Sequence, residues 1–155
     1  MMRGHKNIAG AALAALVIFG FFSVTPVFGD VLFKPASLKI ETKNGPVLLN
    51  VEVADTEAKR EQGLMFRRLM SDDHGMIFLF DVEQEISMWM KNTYIPLDMV
   101  FIGADWRIRH IAHDAEPFST DVISSRRPAS RVLEIAAGQA KKLGLAVGDK
   151  VDLQK

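Results

Sequence analysis

The chain is 155 residues long, balances 19 basic against 19 acidic residues and contains no cysteine. Disulfides, thiolate nucleophiles, cysteine-ligated zinc and lipid attachment through an N-terminal cysteine are therefore excluded. The balanced charge gives no electrostatic drive toward nucleic acid or an anionic membrane surface, and the length suits one ordinary domain able to bury its own core.

The N-terminus reads as an address. Arg3, His5 and Lys6 make a basic start, and Ile8 to Val24 is a run of apolar and small residues broken only by Ser23, ahead of Thr25-Pro26. Short residues around Gly29 complete the pattern of a secretory signal, with cleavage expected after Gly29. An uncleaved anchor is the alternative, since the run sits at the lower end of the ~17–25 residues needed to span a bilayer. Either outcome exports the rest of the chain, to the periplasm or to the outer face of the inner membrane. Residues 30–37, with Pro35, read as a tether, and residues 38–155 as a single domain.

Leu38 to Thr42 alternates apolar and polar positions as a half-buried strand does. Lys43-Asn44-Gly45-Pro46 carries an Asn-Gly turn signal, and Val47 to Val53 completes a hairpin. Asp55 or Thr56 can cap a helix that has Glu57 in its first turn and ends at Gly63. Gly75 to Phe80, Glu85 to Met90, Met99 to Ile102 and Trp106 to Ile111 read as further strands, with Trp106, Ile108 and His110 on one face. Asp114 to Ser130 holds Pro117, Pro128 and many hydroxyls and reads as a long loop. Arg131 to Ile135 is a strand, Gly138 to Leu143 a short helix closed by Gly144, and Lys150 to Leu153 a terminal strand. The sum is an α+β fold: a compact, mostly antiparallel sheet, curved or barrel-like, with two short helices, preceded by the N-terminal hydrophobic segment.

The densest chemistry lies in Trp89 to Asp98, where Lys91, Asn92, Thr93, Tyr94 and Asp98 are set between Trp89 and the apolar run Met99 to Ile102. Polar groups this close to a core need hydrogen-bond partners or cost roughly 1–3 kcal/mol each. Two arrangements fit. In one, Asp98 is a general base or ligand acceptor, Lys91 keeps it ionised, and Asn92 and Thr93 line the rim. In the other, the same groups tie down a strand-to-strand loop, with Asp98 accepting loop amides and Asn92 in a left-handed conformation.

Gly63-Leu64-Met65-Phe66-Arg67, then Gly75-Met76-Ile77-Phe78 and Phe80, then Trp89 to Thr93, Ile95 to Asp98 and Leu133-Glu134 with Gly138, together resemble the bacterial and archaeal domain of unknown function 192. The resemblance covers nearly all of Val47 to Leu153. It implies a compact, β-rich α+β fold, often exported, with no activity attached to it.

Arg67 or Arg68 can grip a carboxylate or phosphate, or pair with Glu134 or Asp98 across the sheet. By alternation Glu134 shares a face with Val132, where a carboxylate is expected to have a cationic partner. His110 and His113, near Asp114 and Glu116, lack the spacing of zinc motifs, and no metal site is expected. Beyond the leader, six methionines fall between Met65 and Met99; they fill an irregular core, with a Cu(I) site as the alternative. No nucleophile elbow or phosphate-cradling glycine motif is present.

The function expected is that of a monomeric cell-envelope module, without cofactor, that binds a small molecule or an envelope protein through Arg67, Lys91, Asn92, Thr93, Asp98 and Glu134. It touches the membrane only through its N-terminal segment and does not bind nucleic acid. A small hydrolase or lyase with Asp98 as base and Lys91 or Arg67 as charge stabiliser is a second expectation, and methionine-based copper binding a third.

Overall fold

The computed structural model describes residues 31–154. The leader and cleavage site expected within residues 1–29 lie outside the described residues. Among the described residues no helix is long and apolar enough to cross a membrane.

The N-terminal hairpin forms as its alternation demands. Strand β1 (Lys34–Thr42) pairs antiparallel with β2 (Gly45–Ala54), and Thr42 stands opposite Gly45 across a two-residue turn. β1 begins within the segment read as a tether. Pro35 fits there because β9 (Lys150–Gln154), on the other side of β1, reaches only Ser37 to Glu41. The missing proline N–H therefore costs no ladder bond. Helix α1 (Glu57–Gln62) is capped by the Thr56 hydroxyl, which accepts from the Lys59 N–H, and it ends at Gly63. The helix carries the chain back along the sheet, so β3 (His74–Gln84) lies parallel to β2, as a crossover connection requires.

β4 (Ser87–Met88) and β7 (Ile123–Ser124) pair only with each other in a small ribbon. The strand expected over Glu85 to Met90 thus shrinks to two residues, and the expected loop from Asp114 to Ser130 contains β7. β5 (Leu97–Ile102), β6 (Ile108–Ala115) and β8 (Ala129–Ala136) complete the main sheet, followed by α2 (Gln139–Lys142) and β9. The order is β6-β5-β8-β3-β2-β1-β9, mixed rather than uniformly antiparallel. The sheet is not closed into a barrel: among the described residues the β6 and β9 ends are linked by an isolated bridge between Arg107, just before β6, and Lys150, not by a continuous ladder. Trp106, with φ of 59°, turns the chain there, and its carbonyl accepts from the Val151 N–H at 2.8 Å.

Both faces of the sheet are covered. Leu38, Ile40, Leu49, Val51, Ile77, Val100, Ile102, Ile108, Leu133 and Val151 form one cluster, drawn from both ends of the curled sheet. Met76, Phe78, Leu97, Met99, Phe101 and Val132 form the second, roofed by Leu64, Ile86, Met90 and Ile95 from connecting segments. Each such side chain contributes roughly 1.5–3 kcal/mol by leaving water. β5 is buried at every position, which is why Met99 to Ile102 reads as one apolar run instead of alternating. In β6 the expected alternation fails. A register shift between Phe101 and Ile102 puts His110 opposite Phe101, onto whose ring it stacks, while Ile108 packs in the other cluster. A bulge of this kind switches the face that follows it.

At Gly75 the backbone of β8 comes close. A Cβ there would stand 2.6 Å from the Glu134 carbonyl oxygen and 3.0 Å from Ile135 Cγ2. We expect Gly75→Ala to cost roughly 1–3 kcal/mol through overpacking, read as a lowered melting temperature. An unchanged value would show that β3 and β8 can part without loss.

Candidate functional site

The second cluster is incomplete. On that face, among α1, the chain that follows it and the segment after β4, lies a cavity of about 610 Å³, within the usual range for a small-molecule site. Its floor is the sheet: Phe78 and Phe80 of β3 and Glu134 of β8. One wall is Glu57, Arg60, Glu61, Gly63, Leu64 and Met65, and the other is Ser87, Met88, Trp89, Lys91 and Thr93. Gly63 is needed at this edge. Its φ is 47°, and a Cβ would press on the Phe78 ring at 3.2 Å.

Glu134 dominates the cavity chemically. It is 4% exposed, and its cross-strand neighbours are Met76 and Met99. Among the described residues no donor or cation approaches its carboxyl, so burial alone pushes it up to about 8. At neutral pH it is mostly a protonated, uncharged acid. Alternation correctly puts it on the face of Val132. The cationic partner expected for it is absent among the described residues.

Three other polar groups of the cavity have contacts of their own. The Arg60 guanidinium donates to the Leu79 carbonyl at 2.9 Å and lies 5.3 Å from the centre of the Phe80 ring. Lys91 Nζ stands 5.2 Å from the centre of the Trp89 ring. The Thr93 hydroxyl donates to the Lys91 carbonyl at 3.2 Å.

The wall from Met90 to Thr93 is held by its backbone. The Asn92 carbonyl accepts from Phe66 N–H at 2.9 Å, the Thr93 carbonyl from Phe118 N–H at 3.2 Å, and Met90 N–H donates to Ser119 at 2.9 Å. Phe66, Asn92 and Phe118 all have positive φ, 64°, 54° and 64°. Left-handed residues of this kind cost roughly 1–3 kcal/mol each. Backbone bonds among three separate segments offset that cost and fix the wall. Asn92 also donates to Met65 Sδ at 3.9 Å.

Asp98 is elsewhere. It has no exposed surface, and its two oxygens accept from backbone N–H groups, Asp114 at 3.0 Å and Ala140 at 2.9 Å. It ties the end of β6 and the start of α2 to β5, with His113 Nδ1 at 3.8 Å. Arg67 is elsewhere too. It pairs with Glu52 and lies over Phe33, while Arg68 lies over Tyr94. Neither arginine pairs with Glu134 or Asp98: Arg67 is turned toward Glu52 of β2 and Arg68 toward Tyr94. Lys91, Thr93 and Glu134 therefore meet at the cavity, with Asn92 bracing the wall behind them.

Of the methionines, Met76, Met90 and Met99 are buried in the second cluster, Met70 packs against it, and Met65 and Met88 line the cavity. Two cavity thioethers fall short of the three sulfurs a copper site needs. Among the described residues no cluster of three His, Asp or Glu residues could hold a metal. Glu57, Arg60 and Glu61 were not legible as site residues, since a six-residue polar helix reads as solvated surface.

A family model described as an uncharacterised ACR, DUF192, matches residues 38–153. The chain belongs to the DUF192 family. The resemblance seen in those sequence stretches is thus a membership that spans nearly the whole folded region. Two solved structures share the fold. One is a Sinorhizobium meliloti protein provisionally assigned as a transcription regulator, 45% identical, with a TM-score of 0.77, covering 81% of this chain and 98% of its own. The other, from Novosphingobium aromaticivorans and of unknown function, is 38% identical, with a TM-score of 0.74, covering 96% of this chain and 99% of its own. No curated protein matches. Membership of DUF192 brings the fold and no activity, so the functional reading rests on the cavity.

Proposed function

We propose that this DUF192 domain is an exported, cell-envelope binding module that holds a small molecule in the cavity over Glu134. The observation that carries the reading is Glu134, a residue 4% exposed whose carboxyl has no partner among the described residues, facing a cavity of about 610 Å³. An unpaired buried acid costs stability and persists where something else uses it. Lys91 and Thr93 line the same space; Asn92 holds the wall; Asp98 and Arg67 support the frame. Export rests on the basic start and apolar run of residues 3–24. The hydrolase or lyase reading is set aside because Asp98 is sealed from the cavity and both its oxygens serve backbone amides.

The test is a thermal-shift screen of the full chain against metabolites, sugars and cell-wall fragments, beside Glu134→Gln. A ligand at 100 times its Kd adds about 2.7 kcal/mol, easily read as a melting shift. A hit that Glu134→Gln abolishes is the expected result. Hits that ignore the substitution, or none at all, would remove the reading.

A further inference from the structure

Resting on that reading, we infer that the cavity takes a small organic amine in its protonated form, its ammonium against the Glu134 carboxylate and its apolar body against Leu64, Met65, Phe78 and Met88. Three carboxyl groups line the space, Glu57, Glu61 and Glu134, against two cations, Arg60 and Lys91. Both cations already sit on aromatic rings, and Arg60 also donates to Leu79. An anionic ligand would find Arg60 already donating to Leu79, only Lys91 at the rim to receive it, and Glu57 and Glu61 of α1 at the wall. A cationic ligand finds the one polar side chain of the floor unpartnered and able to accept.

The charged groups that face Glu134 from the surrounding elements are Glu57, Arg60 and Glu61 on α1 and Lys91 on the segment after β4. Its neighbours on β3 and β5, Met76 and Met99, carry no charge. An ammonium that binds there needs the carboxylate form, so below the carboxyl's own range each binding event releases one proton to solvent. With that range near 8, affinity for an amine rises about tenfold per pH unit from 5 toward 8 and then levels.

The experiment is calorimetric titration of the full chain with three probes of matched size: 2-phenylethylamine, 2-phenylethanol and 3-phenylpropanoate. Binding of the amine with the tenfold-per-unit slope, and release of one proton at pH 6 measured across buffers of different ionisation enthalpy, is the expected result. Glu134→Gln should weaken amine binding and abolish both the slope and the proton release. Binding of the alcohol or the carboxylate in preference to the amine overturns the amine inference and leaves the cavity as a binding site. Failure of all three probes to bind overturns the amine inference and counts against the cavity as well.

Discussion

Glu134→Gln is expected to stabilise the fold at pH 9 and to leave it nearly unchanged at pH 4. In the folded chain the Glu134 carboxyl ionises near 8, against an ordinary value of 4.5. Below pH 4.5 both folded and unfolded chains hold the proton, and its burial contributes fully to the native state. Between 4.5 and 8 the unfolded chain loses the proton and the folded chain keeps it, so stability falls as pH rises. Above 8 both are ionised and the loss is complete. At 1.36 kcal/mol per unit, the loss is of the order of 5 kcal/mol. Glutamine keeps the shape and cannot ionise, so the variant lacks this descent. Urea unfolding of both proteins at pH 4, 6 and 9 measures it. The other shifted carboxyls, Asp55, Asp72 and Asp73, held low by Lys59, Lys142 and His74, are common to both and cancel in the difference. Parallel stability curves would show that Glu134 is not an unpaired acid in an apolar setting, and the functional reading would lose its main support.

The size of that expected effect is itself informative. A hydrophobic residue at position 134 would extend the Val132, Met76 and Met99 cluster without penalty, whereas the acid makes the fold weaker across the neutral range. Selection tolerates such weak points where function requires them. The left-handed conformations of Phe66, Asn92 and Phe118 brace the wall of the same cavity from behind and are another local cost beside it. Strain and an acid without a protein partner in one locality distinguish this cavity from the groove lined by Pro35, Asn50, Glu52, Arg67 and His74. There Arg67 and Glu52 answer one another.

What the sequence disclosed follows from which signals are local. The hairpin, the Thr56 cap, the stop at Gly63 and the short helix before Gly144 depend on residues within a few positions of one another, and they form as read. The left-handed Asn92 belongs with them. Failures occur where a distant contact decides. Glu85 to Met90 has strand character, but its partner is only Ile123–Ser124, so two residues pair. His110 changes face because of a bulge against Phe101 that no alternation pattern encodes. Arg67 reads as a partner for Glu134, yet it pairs with Glu52 of β2, while Glu134 of β8 faces the cavity. The site was half legible for the same reason. Lys91, Thr93 and Glu134 stood out by chemistry, whereas Glu57, Arg60 and Glu61 join them only because α1 crosses over the sheet.

Asp98→Ala is expected to destabilise the fold by roughly 2–4 kcal/mol, because it leaves one buried and one part-buried N–H donor without acceptors, the buried one at roughly 1–3 kcal/mol, and removes charge-assisted bonds. Those donors are the amides of Asp114 and Ala140, at 3.0 and 2.9 Å. Asp114 itself has a φ of 52°, a conformation that the bond to Asp98 helps hold. Asp98→Asn should lie between wild type and Ala, since its oxygen still serves one amide while its NH₂ group opposes the other. Hydrogen exchange adds the local signature: protection at Asp114 and Ala140 falls in both variants more than protection in the β1–β2 hairpin. Ligand binding supplies the contrast with Glu134. Asp98 does not line the cavity, so at temperatures where Asp98→Asn remains folded, its affinity for a cavity ligand should match the wild type. An Asp98→Asn protein that melts like the wild type but has lost its ligand would reverse the assignment, making Asp98 the binding carboxylate and the amide bonds incidental.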